Sequence, residues 1–312
     1  MSEAAWEPRL QAWARPPGVT ESEKMARAEK AIRDAIAASP ALSTRDIVVF
    51  PQGSYRNRTS VPRESDVDIC VMTRDVVFVD WDWVDESART NATVRRALEA
   101  KAGLADTPYT YEGFKNDVEA ALVAKFGRAA VVRGDKAFDI RENTYRIESD
   151  CIAVFERRQW RRNSAGVLVY TTGVQFISDA GAKIHNYPRQ QFEKGEAKHV
   201  RTGRRYKKMV RIIKNLSNEM ADAGIAEAGL IPSFLIECLV HQVADSYFRQ
   251  ATFYEELDLV LAYIVVNTRS DERCGKWTEV NGIKFLFHTT QPWTREHAFD
   301  FALAARDHVG LS

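Results

Sequence analysis

Apolar positions recur at helical spacing near the start of the chain, then in short alternating runs, then at helical spacing again. Met25, Ala28, Ile32 and Ile36 fall on one stripe and predict a helix from about Glu21 to Ala38, opened by the capping-box pattern Thr20-Glu21-Ser22-Glu23. Strands are expected at 46–50, 67–73 and 75–79, a helix over Tyr111 to Phe126, and further strands at 129–133, 137–140 and 145–155. The stretch from Arg157 to Gly203 reads as loop-rich. Beyond it, helices are expected near 203–222, 232–248, 252–267 and 294–308. The pattern is α+β, a sheet lobe first and helices second, with a division near residues 185/186, and no internal repeat interrupts it.

Candidate chemistry concentrates between the first two strands. Residues 52–68 begin Gln52-Gly53-Ser54 and end Asp66-Val67-Asp68, so a Gly-Ser turn precedes two carboxylates at the start of a strand. Strand alternation puts Asp66 and Asp68 on one face, with Val67 and Ile69 on the other. Side-by-side carboxylates repel unless a cation lies between them. Mg²⁺ takes oxygen ligands, typically one or two carboxylates plus substrate phosphates, so the pair suits a metal-triphosphate platform. Glycine lets backbone amides approach a phosphate, and the serine hydroxyl adds a donor. An Asp-x-Asp alone is common on solvated strand ends; the apolar run Ile69 to Met72 and the Gly-Ser turn set this one apart.

A two-metal site asks for a third carboxylate. Asp150, in the strand-like run Tyr145 to Phe155, is the preferred candidate because the apolar residues after it anchor its place in a sheet. Glu148 has the same strand parity and competes with it.

Composition narrows the class. The chain has 312 residues, 45% of them hydrophobic, enough for a substantial core. No apolar run nears the roughly 18 residues of a membrane span, and Met1 to Glu7 lacks the pattern of a signal peptide. Cys70, Cys151, Cys238 and Cys274 form no C-x-x-C pair, which argues against a zinc ribbon or a disulfide framework. A cytoplasmic enzyme without membrane attachment is expected. The net charge of +1 disfavours bulk nucleic-acid coating, but from Lys183 to Lys214 eleven lysines and arginines face only Glu193 and Glu196. In the helix expected there, Met209, Ile212, Ile213, Leu216 and Met220 form the apolar stripe, and Lys207, Arg211 and Lys214 share the opposite face. Such a face can simply meet water; beside a triphosphate it supplies cationic partners.

Pro51 to Asn57 followed by Ser65-Asp66-Val67-Asp68, then Ile184 to Pro188, Arg205 to Asn215 and Pro232 to Leu239, resemble in order the bacterial CD-NTases, the cGAS/DncV-like nucleotidyltransferases, with most affinity to the CdnE clade. The resemblance spans about residues 45 to 245 and weakens beyond 250. It implies a polymerase-beta-like sheet lobe (1–185) and a helical nucleotide-binding lobe (186–312), with the active site in the cleft between them. Two Mg²⁺ ions, or Mn²⁺, would be held by Asp66, Asp68 and Asp150. Gln52, Gly53, Ser54, Lys207, Arg211, Lys214 and Ser233 would serve the triphosphate, and Phe234 would stack on the donor base. Asn186 would read a pyrimidine edge. The implied activity is synthesis of a cyclic oligonucleotide, a uridine-containing dinucleotide made from UTP and ATP, as a second messenger for anti-phage (CBASS) signalling that acts on an effector protein. A monomer is implied, with no stable nucleic-acid partner. A linear oligonucleotide synthase, a nucleotidyltransferase acting on a small molecule or protein, and a degenerate RNA-binding module are the alternatives.

Overall fold

The computed structural model describes residues 3–62, 66–80, 91–93, 95–96 and 109–311; Ser65 of the motif lies outside them. The chain forms two compact units. One comprises Thr20–Gln52 and Asp66–Pro188, the other Met1–Val19, Gly53–Ser65 and Arg189–Ser312. The chain thus changes unit several times, where the sequence suggested a single division near 185/186.

The first unit is built on a seven-stranded sheet: β1 (Ile47–Pro51), β2 (Val67–Asp80), β3 (Val131–Arg133), β4 (Phe138–Ile140), β5 (Ser149–Arg162), β6 (Leu168–Ile177) and β7 (Lys183–Asn186). The order is β1-β2-β5-β4-β3, and β6 pairs with the far part of β5 and with β7. Among the described residues only β2 and β5 run parallel. Val67, Ile69 and Val71 are fully buried on one face of β2. On the other, Cys70 clusters with Ile152, Val154, Val174 and Phe176. Alternate residues bury opposite faces, as the period of a strand requires. The strands expected at 67–73 and 75–79 are one continuous β2, whose pairing with β5 shifts register between Thr73 and Val77.

Among the described residues the longer helices of this unit are two. In α2 (Val19–Ala37), Met25, Ala28, Ile32 and Ile36 are buried as the stripe predicts. It begins one residue before Thr20, which therefore lies inside the helix rather than capping it. The later helix (Tyr111–Phe126, α4 in chain order) has the expected limits and is capped by the Thr110 hydroxyl, which accepts from Gly113 N–H.

The expectation of a loop-rich 157–203 is corrected. β5 continues to Arg162, β6 and β7 follow, and α5 (Pro188–Arg201) closes the stretch. Charge hid the strand: within it Arg157 is paired with the sequence-distant Asp80 and Arg158 with Glu156 of its own strand. Gly173 on β6 lets β7 lie close, because a Cβ there would come within 2.7 Å of Asn186 O.

The second unit is helical: α1 (Glu3–Trp13), the short α3 (Gly53–Asn57), α5, α6 (Tyr206–Asp222), α7 (Ser233–Gln242), α8 (Phe253–Thr268), α9 (Asp271–Cys274) and α10 (Arg295–Val309). Glycine at φ 58 and Arg204 at φ 63 separate α5 from α6, so the helix expected from Gly203 starts at Tyr206. Its predicted stripe is buried, together with Trp6 and Leu10 of α1 and residues of α7, α8 and α10. The sequence pattern did not reveal α1, which buries Trp6 and Leu10 and contains Pro8. Among the described residues no helix is long and apolar enough to cross a membrane, and all four cysteines are free and buried.

Candidate active site

Asp68 and Asp150 are direct register partners across β2 and β5, and Asp139 on β4 is the partner of Asp150 on its other side. Directly paired residues point to the same face, so three carboxylates on neighbouring strands form one row across the sheet. Phe138 and Ile140, flanking Asp139, are fully buried on the opposite face. Asp66 is exposed at the residue just before β2, and Glu148 is exposed just before β5. Asp150, not Glu148, is therefore the carboxylate aligned with Asp68. Val67 N–H donates to Glu148 O, and Gln52 N–H donates to Asp68 O at 2.8 Å, tying the strand ends together.

Burial, then the charges of Asp68, Asp139 and Asp66 and a hydrogen bond with Asp139, push the Asp150 carboxyl up to about 7. Like charges facing each other across strands are destabilising, and a cation relieves that repulsion. Among the described residues no three His, Cys, Asp or Glu side chains close into a ready metal cage. The row is an open set of hard oxygen donors, the kind Mg²⁺ uses when phosphates and water complete its shell, and the residues fit that group.

Asp139 was not foreseen. The alternation Phe138-Asp139-Ile140 marks it as the polar position of a short strand, on the face opposite the two apolar residues; which strand lay beside it was not visible in the pattern. Asn186, the last residue of β7, pairs with Val174 of β6 and is partly exposed.

The other unit carries the remaining candidates. Gly53 takes φ 62, a left-handed conformation natural to glycine. Ser54 Oγ lies 3.1 Å from Ser60 Oγ, and Thr59 N–H donates to Ser54 O. Ser233 and Phe234 open α7; the Phe234 ring is 37% exposed and rests on Trp293, centroids 5.9 Å apart.

The reading of the basic face of α6 as one that simply meets water is excluded by burial. Lys207, Arg211 and Lys214 are 3%, 6% and 2% exposed. Lys207 Nζ donates to Glu196 at 2.5 Å. Arg211 donates to Ala14 O and, through Nη1, to Arg58 O at 2.6 Å. Burial lowers Lys207 and brings Arg211 down to about 10. Both side chains hold the helical unit together, because a buried cation must find acceptors within reach.

A mixed sheet with paired carboxylates on parallel neighbours, joined in sequence to a helical unit, defines a nucleotidyltransferase. Comparison with known proteins agrees. Residues 193–310 match the family model of the cGAS/DncV-like nucleotidyltransferase C-terminal helical domain. The chain is 38% identical over 304 residues, 97% of its length and 98% of the relative's, to the cyclic dipyrimidine nucleotide synthase CdnE of Legionella pneumophila. It is 31% identical, with the same coverage, to the cyclic dipurine nucleotide synthase of Elizabethkingia meningoseptica. The solved CdnE c-UMP-AMP synthase of Rhodothermus marinus superposes with a TM-score of 0.80 at 27% identity, covering 97% of this chain and 96% of that one. This chain belongs to the CD-NTase family of cyclic nucleotide synthases and groups with its CdnE members.

Proposed function

We propose that this nucleotidyltransferase joins two nucleoside triphosphates into a uridine-containing cyclic dinucleotide, releasing two pyrophosphates, and that the product is a second messenger of CBASS-type anti-phage defence acting on an effector protein. The observation that carries the reading is the register pairing of Asp68 with Asp150. In each of two rounds a ribose hydroxyl oxygen bonds to an α-phosphorus, the bond from that phosphorus to the pyrophosphate bridging oxygen breaks, and the hydroxyl proton passes to solvent. Asp66, Asp68 and Asp150 would hold divalent cations, Mg²⁺ or Mn²⁺, which acidify the acceptor hydroxyl and neutralise the phosphates when bound.

The protein's own groups bind and orient. Ser54, on the segment opened by Gly53, contacts the donor triphosphate together with Lys214 and Ser233. Phe234 offers an exposed aromatic face for the donor base. Lys207 and Arg211 act at one remove, through the contacts that fix α6.

Support for uridine comes from Asn186, whose amide can pair with the carbonyl and N–H edge of uracil, and from the name of the Legionella relative. Base choice varies among the relatives, the Elizabethkingia protein being a dipurine synthase, so the assignment rests on Asn186. Incubation with all four labelled triphosphates, phosphatase treatment and mass spectrometry of the resistant product tests the reading. A cyclic product with uridine is expected; linear oligomers, or transfer of one nucleotide to another acceptor, would replace it.

A further inference from the structure

Glu237 lies in the Pro232 to Leu239 block, yet no part of the chemistry above uses it. It is 4% exposed on α7, one turn after Ser233 and Phe234. Three side chains donate to its carboxylate: Asn57 Nδ2 to Oε1 at 2.9 Å, Gln191 Nε2 to Oε1 at 2.9 Å and Thr59 Oγ1 to Oε2 at 2.8 Å. A buried carboxylate is retained only where donors replace its water. Here they come from two separate segments, the one carrying Ser54 and helix α5, and converge on the helix that begins with Ser233.

The segment needs such a hold. Arg58 sits at φ 57, a conformation unfavourable for a residue with a side chain. Arg211 fixes its carbonyl on one side, and Glu237 grips the residues before and after it. Thr59 in turn donates its backbone N–H to Ser54 O at 3.0 Å, and the next residue, Ser60, meets the Ser54 hydroxyl at 3.1 Å. The path from Glu237 to Ser54 is thus continuous in hydrogen bonds and one peptide unit.

We propose that Glu237 is a positioning residue for nucleotide transfer, locking the Gly53–Asn57 segment to the start of α7 so that Ser54 and Ser233 are held in one geometry before a triphosphate arrives. The inference rests on the reading of Ser54 as a triphosphate contact.

Steady-state pyrophosphate release and thermal melting of the full chain test it in five forms: wild type, Glu237→Ala, Glu237→Gln, Ser54→Ala and the double alanine variant. Glu237→Ala should lower kcat/KM about hundredfold, chiefly through KM. Glu237→Gln should restore most of this, since its carbonyl can accept from Asn57 and Gln191 while its NH₂ donates to a turned Thr59 hydroxyl. In the double variant the losses should fall well short of multiplying, because both act at one contact. A folded Glu237→Ala with unaltered kinetics, or losses that multiply in full, would overturn the proposal. If Ser54→Ala alone leaves KM unchanged, the triphosphate role of Ser54 fails, a result distinct from failure of Glu237 alone. Should Glu237→Ala not fold, Thr59→Val removes one donor at constant shape. It should raise KM severalfold, and wild-type kinetics there would refute the proposal.

Discussion

Asp68 and Asp150 face each other in the one parallel strand pair among the described residues, so the separation of the two carboxylates is set by the sheet. Strand spacing, about 4.8 Å, holds them side by side whether or not a ligand is present. Asp150 is also flanked by Asp139, and burial first, then this crowding of carboxylates, raises its pKa.

Replacing either paired aspartate by asparagine should remove at least about 3 kcal/mol of transition-state stabilisation, a loss of hundredfold or more in pyrophosphate release. Circular dichroism should show an unaltered fold, since the polar ends of these side chains do no core packing. Glu148→Gln should retain most activity. If Glu148→Gln is the crippling change and Asp150→Asn the mild one, the third-ligand assignment passes to Glu148.

The proton on Asp150 makes two opposed pH dependences. With a folded value of about 7 and an unfolded value of about 3.9, the folded chain binds a proton that the unfolded chain has lost between those limits. That contribution to stability is full at the acid end of the window and disappears as pH rises through about 7. Without divalent cation, the melting temperature of the wild type minus that of Asp150→Asn should therefore fall between pH 5 and pH 8. Activity runs the other way, because proton and cation compete for the same oxygens. Its rise through about pH 7 should move to lower pH as Mg²⁺ is increased, and a profile indifferent to Mg²⁺ would separate Asp150 from the cation.

On α6 the three buried cations should separate by phenotype. Arg211→Ala strands the carbonyls of Ala14 and Arg58, at about 1–3 kcal/mol per buried acceptor, and should lower the melting temperature. Lys214→Ala should instead raise KM for triphosphate about tenfold, the value of one charge-assisted contact. Similar KM changes at Lys207, Arg211 and Lys214 would mean that the helix acts as a diffuse basic surface.

Phe234 is partly exposed and its ring packs at a tilt against Trp293, itself fixed by its indole N–H donating to Leu286 O at 2.8 Å. Loss of base stacking costs about 1–3 kcal/mol, so Phe234→Ala should raise KM about ten- to hundredfold and Phe234→Tyr should not. Trp293→Ala should have a smaller effect in the same direction. Unchanged nucleotide affinity in Phe234→Ala would leave the ring as packing alone.

Asn186→Ser should weaken uridine use and let purines compete, because each polar group left unmatched costs about 1–3 kcal/mol, ten- to hundredfold in selection. The measurement is the base composition of the product with all four triphosphates in competition. Purine-only products from the wild type would refute the specificity without touching the nucleotidyltransferase assignment.

What the sequence by itself determined is what depends on neighbours along the chain. Alternation placed Asp66 and Asp68 opposite Val67 and Ile69, the apolar stripe of α6 was readable from five positions, and Tyr111–Phe126 matched its helix to the residue. The blocks from Pro51 to Leu239 further carried the family. Tertiary structure decided the rest. Asp139 joins the carboxylate row only because β4 pairs with β5, and strand pairing between distant segments leaves no local periodicity to read. The charged run through β5 looked like loop until Asp80, far away in sequence, neutralised Arg157. The sequence put Lys207 and Arg211 on the face opposite the apolar stripe but did not show that they are buried, because a helical wheel records which side a residue occupies and not what packs there. Glu196, Arg58 and Ala14 pack there, and in this structure those acceptors hold Lys207 and Arg211 in place.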